Sequence, residues 1–236
     1  MCSFNMYVTA IVLAAGRGLR LKSKISKPLI EINSKPIIIY CLNTISQHSN
    51  IKDIIVVANS KNSKSIISKI GQYRIGKIKN IVLGGKRRQD SVRNGLKAMN
   101  RRTDLVLIHD AVRPFIDKKM VSVLIKKAKR YQAAIVGTPL KATIKKVLDK
   151  SIVEKTIDRN NLWEIQTPQV FRKDLILEAY EKYRGVSVSD DASLVEKLGV
   201  KVKVVMGSYF NIKITTPEDL ILAKAILKTQ KAKVKR

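Results

Sequence analysis

Short runs of β-branched residues alternate along this chain with longer segments of helical period, and that alternation limits the fold more than any other feature. Residues 8–14, 54–58, 81–83, 105–109 and 133–137 read as buried strands, and 36–47, 60–73, 90–99 and 118–131 between them read as helices. Strand and helix in strict alternation predict an α/β protein with a mainly parallel sheet flanked by helices. The rhythm breaks after Pro139. Residues 142–148 and 151–157 predict a hairpin turning at Asp149-Lys150, so 139–159 forms an inserted β-arm, with no helix until about Arg172. Helices near 172–184 and 190–198, a strand at 201–206 and a helix at 217–227 complete the expected elements. A length of 236 residues suits one domain spanning 1–236, and the basic tail at 228–236 is the only piece expected to lack structure.

Composition removes several function classes. With 45% hydrophobic residues the chain can bury a core, and its two cysteines are too few for a disulfide scaffold or a structural zinc site. They suggest a reducing compartment. The apolar run from Met6 to Ala15 is too short to span a membrane and lacks the pattern of a signal peptide, so a soluble cytoplasmic protein with no membrane partner is expected. The formal charge of +29 favours contact with polyanions. The lysines are nevertheless spread over the whole chain, only 5% of residues are aromatic, and no nucleic-acid motif is present. A lysine-rich solvated surface accounts for the charge without a specific nucleic-acid partner.

In open α/β sheets ligands bind beyond the carboxyl ends of the strands, so the loops after the strands carry the functional reading. The first strand runs into Leu-Ala-Ala-Gly-Arg-Gly-Leu-Arg-Leu at 13–21, with Lys27-Pro28 following. Ala14, Ala15, Gly16 and Gly18 keep the turn almost free of side chains, so a base or phosphate can approach backbone N–H groups. Arg17, Arg20, Lys22, Lys24 and Lys27 add positive charge. Leu21 stands where the dinucleotide fingerprint needs its third glycine, and no Gly-Lys-Ser/Thr is present. After the third strand, Gly84-Gly85 precede a helix that opens with Asp90-Ser91, offering backbone donors and a hydroxyl. The fourth strand ends in His109-Asp110-Ala111-Val112-Arg113-Pro114, where the Asp110 carboxylate can hold Mg²⁺ on a triphosphate or simply cap a turn. His109 reads equally as a packed or a catalytic residue.

The first loop resembles the opening of the sugar-phosphate nucleotidyltransferases, whose Leu-Ala-Ala-Gly-x-Gly-x-Arg run wraps a triphosphate. The ordered series Gly-Gly-x-x-Arg-x-x-Ser-Val, His-Asp-Ala-x-Arg-Pro, Gln-Thr-Pro-Gln-x-Phe at 166–171 and Asn-Ile-Lys-x-Thr at 211–215 narrows the resemblance. From about Thr9 to Leu227 the chain is similar to the 2-C-methyl-D-erythritol 4-phosphate cytidylyltransferase family, which implies a Rossmann-like, GT-A-like nucleotidyltransferase fold. The resemblance implies that Ala14, Ala15, Gly16, Gly18, Gly85 and Ser91 line the cytidine pocket and that Arg20 and Lys27 grip the triphosphate. It places Asp110 near ribose and Mg²⁺, and assigns Thr143, Arg159 and Lys213 to the polyol phosphate. Arg20, Lys27, Arg159 and Lys213 are then the catalytic cations. It further implies a homodimer, because the family's arm crosses to a second subunit. Three departures stand out: Ser26-Lys27-Pro28 at the lysine, Lys86-Arg87 in the glycine loop, and Phe210 where an acidic residue is common.

The implied reaction joins CTP to the acceptor's phosphate, releasing pyrophosphate. A phosphate monoester is already anionic near neutral pH, so the chemistry needs cations and in-line positioning rather than a strong base. Ribitol 5-phosphate cytidylyltransferases share much of the series and stay open as an alternative at this point, as does a polyanion-binding protein on a decayed enzyme fold.

Overall fold

A computed structural model of the chain describes residues 6–16 and 25–234. Chain order begins with β1 (Val8–Leu13), β2 (Glu31–Ile32), β3 (Lys35–Pro36), α1 (Ile37–Ser46), β4 (Ile51–Ala58), α2 (Ser63–Gln72), β5 (Ile78–Leu83) and α3 (Arg88–Lys97). β6 (Leu105–Asp110), α4 (Lys118–Tyr131), β7 (Ala133–Pro139), β8 (Ile144–Val147) and β9 (Val153–Ile157) follow. The chain ends with β10 (Trp163–Arg172), α5 (Lys173–Lys182), α6 (Ala192–Glu196), β11 (Lys203–Met206) and α7 (Pro217–Val234).

Among the described residues, seven strands form one sheet in the order β11-β7-β10-β6-β1-β4-β5. The expected α/β architecture is present, with β10 as its antiparallel member, pairing against both β6 and β7. All six residues of β1 are buried. Ala10 and Val12 pack with α1 and α4 on one face, while Ile11 and Leu13 pack with α3 and α5 on the other. Burial on both faces is why this strand reads as an unbroken apolar run. α3 lies close against β1 because Gly95 has no side chain; a Cβ there would come within 2.6 Å of Ile11 Cγ2. α4 starts where the Asp117 carboxylate accepts from the Met120 N–H at 2.7 Å and ends at Gln132 with φ of 68°.

Two expectations need correction. Residues 163–172, expected only to lack a helix, form a strand in the middle of the sheet. Its Pro168 argues against a central strand, but the register shifts between Gln166 and Gln169, and Thr167-Pro168 occupy that bulge, where no ladder N–H is required. Residues 228–234 of the basic tail are not without structure either, since α7 continues to Val234. The predicted hairpin is β8–β9 with a 3-10 turn over Asp149–Ser151, forming its own two-stranded ladder outside the main sheet. No helix of the described residues is long and apolar enough to cross a membrane.

From β1 the sheet runs through β4 to β5 in one direction, and β6 then returns to the other side of β1. Strand order reverses there, and a pocket beside the carboxyl end of β6 is lined by Arg88, Asp110, Arg113, Thr167 and Lys213.

Candidate active site

The site is built from neighbours in the sheet. Leu13 and Asp110 are register partners, and the Ala111 N–H donates to the Leu13 carbonyl at 3.0 Å, so the turn after β1 lies directly beside Asp110. Among the described residues nothing lies within 4 Å of a Cβ built on Gly16. The glycines after β5 are closely packed. A Cβ on Gly84 would lie 2.5 Å from Ala15 Cβ, and one on Gly85 would lie 2.3 Å from Asp90 Cβ.

A chain of charges crosses the site. Asp110 accepts from Lys213 Nζ at 2.6 Å and from Arg88 Nε at 3.2 Å. Arg88 reaches on to Asp191 at 2.9 Å, and the Tyr180 hydroxyl donates to the other oxygen of Asp191 at 2.5 Å. Burial alone would raise the Asp110 pKa, but Arg88 and Lys213 overcome that and hold it well below the usual carboxylate range. Burial opposes the charge on Arg88 too, and Asp191 with Asp110 reverses the effect and raises its pKa. The Lys213 side chain is 39% exposed, so one end of this buried series presents a cation to solvent.

The bulge in β10 aims Thr167 at the same point. Its hydroxyl oxygen accepts the Asp110 N–H at 3.0 Å and lies 3.2 Å from His109 Nδ1. The opposite ring nitrogen, Nε2, lies 3.0 Å from the Arg113 carbonyl, which can only accept. His109 therefore carries a proton on Nε2, and in the neutral ring Nδ1 accepts the Thr167 proton. Burial lowers its pKa to about 4. Asp110, Arg113 and Lys213 are the charges that face it. In the unfolded chain the ring titrates near 6.5, so this contribution to stability is complete above that pH and is lost as pH falls toward 4. Urea unfolding of the metal-free protein should show a loss of about 3 kcal/mol over that window from this ring, and His109→Gln should flatten the slope. An equal slope in the variant would refute the neutral ring.

The profile of the 2-C-methyl-D-erythritol 4-phosphate cytidylyltransferase family matches residues 8–229. The chain belongs to this family. A relative bearing that description from Shouchella clausii (strain KSM-K16) is 44% identical over 225 residues, covering 94% of this chain and 97% of its own. One from Geobacillus kaustophilus (strain HTA426) is 43% identical, covering 96% and 100%. The crystal structure of 4-diphosphocytidyl-2C-methyl-D-erythritol synthase from Anaerococcus prevotii DSM 20548 superposes with a TM-score of 0.84 at 38% identity, covering 95% and 97%. That of the Thermus thermophilus cytidylyltransferase gives 0.77 at 27% identity, covering 94% and 100%. The chain is accordingly a nucleotidyltransferase with an α/β nucleotidyltransferase fold.

Within the cytidylyltransferase frame, the structure sets the turn that begins at Ala14 beside Asp110, to which Lys213 is bonded. Ser91 is buried in α3, where its hydroxyl accepts the Gly85 N–H at 3.1 Å and donates to the Arg87 carbonyl at 3.3 Å, stitching the glycine loop. α3 begins two residues earlier than the sequence suggests, and the Asp90 carboxylate accepts the N–H of its N-cap residue, Arg87, at 3.1 Å. Arg87 is occupied by Asp90, at 3.0 and 3.2 Å. Lys27 opens a 3-10 turn over Lys27–Leu29. Gly18 and Arg20 lie outside the described residues. Thr143 and Arg159 are exposed on the arm, and Arg159 hydrogen-bonds the Lys141 carbonyl. Among the described residues neither bonds to Asp110, Arg88 or Lys213. Sequence reasoning gives Arg88 no role. Its place in the Gly-Gly-x-x-Arg spacing is visible there, but its two aspartate partners are not.

Proposed function

We infer that the chain transfers the cytidylyl group of CTP to the phosphate of 2-C-methyl-D-erythritol 4-phosphate, making 4-diphosphocytidyl-2-C-methyl-D-erythritol and pyrophosphate for isoprenoid synthesis. The observation that carries the reading is the partly exposed Lys213 side chain, its ammonium anchored on buried Asp110 beside the turn that leads to Gly16. A phosphate oxygen of the acceptor attacks the α-phosphorus of CTP, a new P–O bond forms, and the bond to the pyrophosphate oxygen breaks. No proton needs to move. The protein supplies orientation and positive charge, from Lys213 at the attacking phosphate and from Arg20 and Lys27 at the triphosphate.

Mg²⁺ is part of the proposal as a companion of the triphosphate. The described residues hold no group of three metal-ligating side chains, and Asp110 is a lone carboxylate at the strand end. One carboxylate plus phosphate oxygens suits Mg²⁺, which avoids all-protein cages. When bound, the ion offsets charge on the leaving pyrophosphate.

The arm completes the reading. Val147, Leu148, Ile152 and Val153 are each more than half exposed near its tip, which supports burial against a second subunit in a homodimer. Thr143 and Arg159 would then serve the partner's site. Arg159→Ala and Lys27→Ala proteins, each weak alone, should regain activity when mixed, because one site of the hybrid carries neither lesion. No recovery in mixtures shown by tagged pull-down to contain hybrids would refute the shared site. A cytoplasmic setting fits the buried free thiol of Cys41.

The test is pyrophosphate release from CTP and Mg²⁺ with methylerythritol 4-phosphate and ribitol 5-phosphate in parallel. Release with the first alone is expected. Release with ribitol 5-phosphate alone would overturn the acceptor. Silence with both, together with salt-sensitive RNA binding, would overturn the enzymatic reading.

A further inference from the structure

Two asparagines after β4, neither singled out by the sequence, hold the backbone of the first loop. Asn62 stands at the N-cap of α2, where its side chain would ordinarily bond the helix's own N–H groups, yet it makes no such cap. It is 1% exposed. Its amide nitrogen instead donates to the Ala14 carbonyl at 2.9 Å and to the Ser26 hydroxyl at 2.8 Å. Its oxygen accepts the Asn59 N–H at 2.9 Å. A carbonyl can only accept and a backbone N–H can only donate, so the amide has one possible orientation, and its two protons and one oxygen are all engaged. Asn59 does the same one residue on, donating to the Ala15 carbonyl at 3.0 Å.

The consequence follows from peptide geometry. In a trans peptide the C=O of one residue and the N–H of the next point in opposite directions. With the carbonyls of Ala14 and Ala15 drawn toward Asn62 and Asn59, the N–H groups of Ala15 and Gly16 face the other way. Neither has a hydrogen-bond partner among the described residues. Asn62 also ties the point where the loop departs, Ala14, to the point where it returns, Ser26, immediately before Lys27.

We propose that Asn62, supported by Asn59, is a positioning residue for CTP: it sets the two free donors of the Ala15–Gly16 turn and the start of the Lys27 turn before the nucleotide arrives. This rests on the reading that the turn receives CTP. Neither asparagine touches the substrate. Their effect passes through two backbone carbonyls and one hydroxyl, so it should appear in CTP binding and leave the acceptor untouched.

Asn62→Asp keeps the oxygen that accepts from Asn59 but replaces the donor with a second acceptor facing the Ala14 carbonyl. Loss of the buried bond to the Ala14 carbonyl, with an acceptor now facing it, should raise the KM for CTP at least about tenfold. The KM for methylerythritol 4-phosphate should stay within about twofold, and far-UV circular dichroism should be unchanged. Asn59→Ser, at a half-buried site, should raise the CTP KM by a smaller factor, and Ser26→Ala should act in the same direction. An unchanged CTP KM in folded Asn62→Asp would overturn the proposal. So would a parallel rise in both KM values with a lowered melting point, the mark of a general structural role. If Asn62→Asp does not fold, the Asn59→Ser and Ser26→Ala pair decides: no change in CTP KM in either overturns it. Wild-type turnover with CTP in the same assay separates failure of this inference from failure of the functional reading.

Discussion

Replacing Arg88 with alanine should lower stability by about 3–5 kcal/mol, the scale seen when one partner is removed from a buried ion pair. Among the described residues Arg88 is the cation that bonds both carboxylates, one of them, Asp191, with a fully buried side chain. Without it Asp110 and Asp191 confront each other across a void, and Tyr180 can donate only one hydrogen bond to Asp191. For a chain of this length the melting point should fall by on the order of 10 °C. Turnover should fall as well at temperatures where the protein is folded, because Asp110 no longer has a fixed place from which to hold Lys213. Arg88→Lys should recover only part of either property, since a single ammonium lacks the fork that reaches both aspartates. Calorimetry alongside turnover checks this. A melting point unchanged within about 2 °C would show that the network contributes nothing to folding.

Lys213→Ala should do the opposite. The ammonium is partly exposed and its removal leaves Asp110 still paired with Arg88, so stability should change by less than about 1 kcal/mol. The reaction should suffer far more. Loss of one preorganised group that stabilises transition-state charge costs about 3–4 kcal/mol, or roughly a hundred- to thousand-fold in kcat. The KM for the acceptor should rise with it while that for CTP stays close to wild type. Turnover within about threefold of wild type would remove Lys213 from the mechanism.

What can be read from the sequence depends on whether a residue's role is local. β1, β4, β6 and β7 are legible because strands buried on both faces carry a continuous apolar signal. Asp110 and Gly16 are legible because they sit where such strands end. β10 is not. Pro168, two glutamines and Glu164 break its alternation, and only the bulge reconciles them with a central position. Arg88 is visible as part of a spacing, but its bond to Asp191 joins residues 103 apart and exists only once the sheet has folded. Asn62 is absorbed into a helix read as 60–73. In the fold it stands at the N-cap of α2 with its side chain making no cap to that helix.

The position of β10 also dictates an order of assembly. β7 has only β10 and β11 as neighbours, and both follow it in the chain. As synthesis proceeds, β6, β1, β4 and β5 can pair early, whereas β7 must wait, unpaired, until the arm has been made and residues 163–172 emerge. Until then the growing chain carries an open edge on β6 and a strand with no ladder, the kind of surface that invites pairing with the wrong chain. The strand that closes this gap is also the one that brings Thr167 to Asp110. The Asp110 N–H therefore gains its Thr167 partner only when the two halves of the sheet are joined.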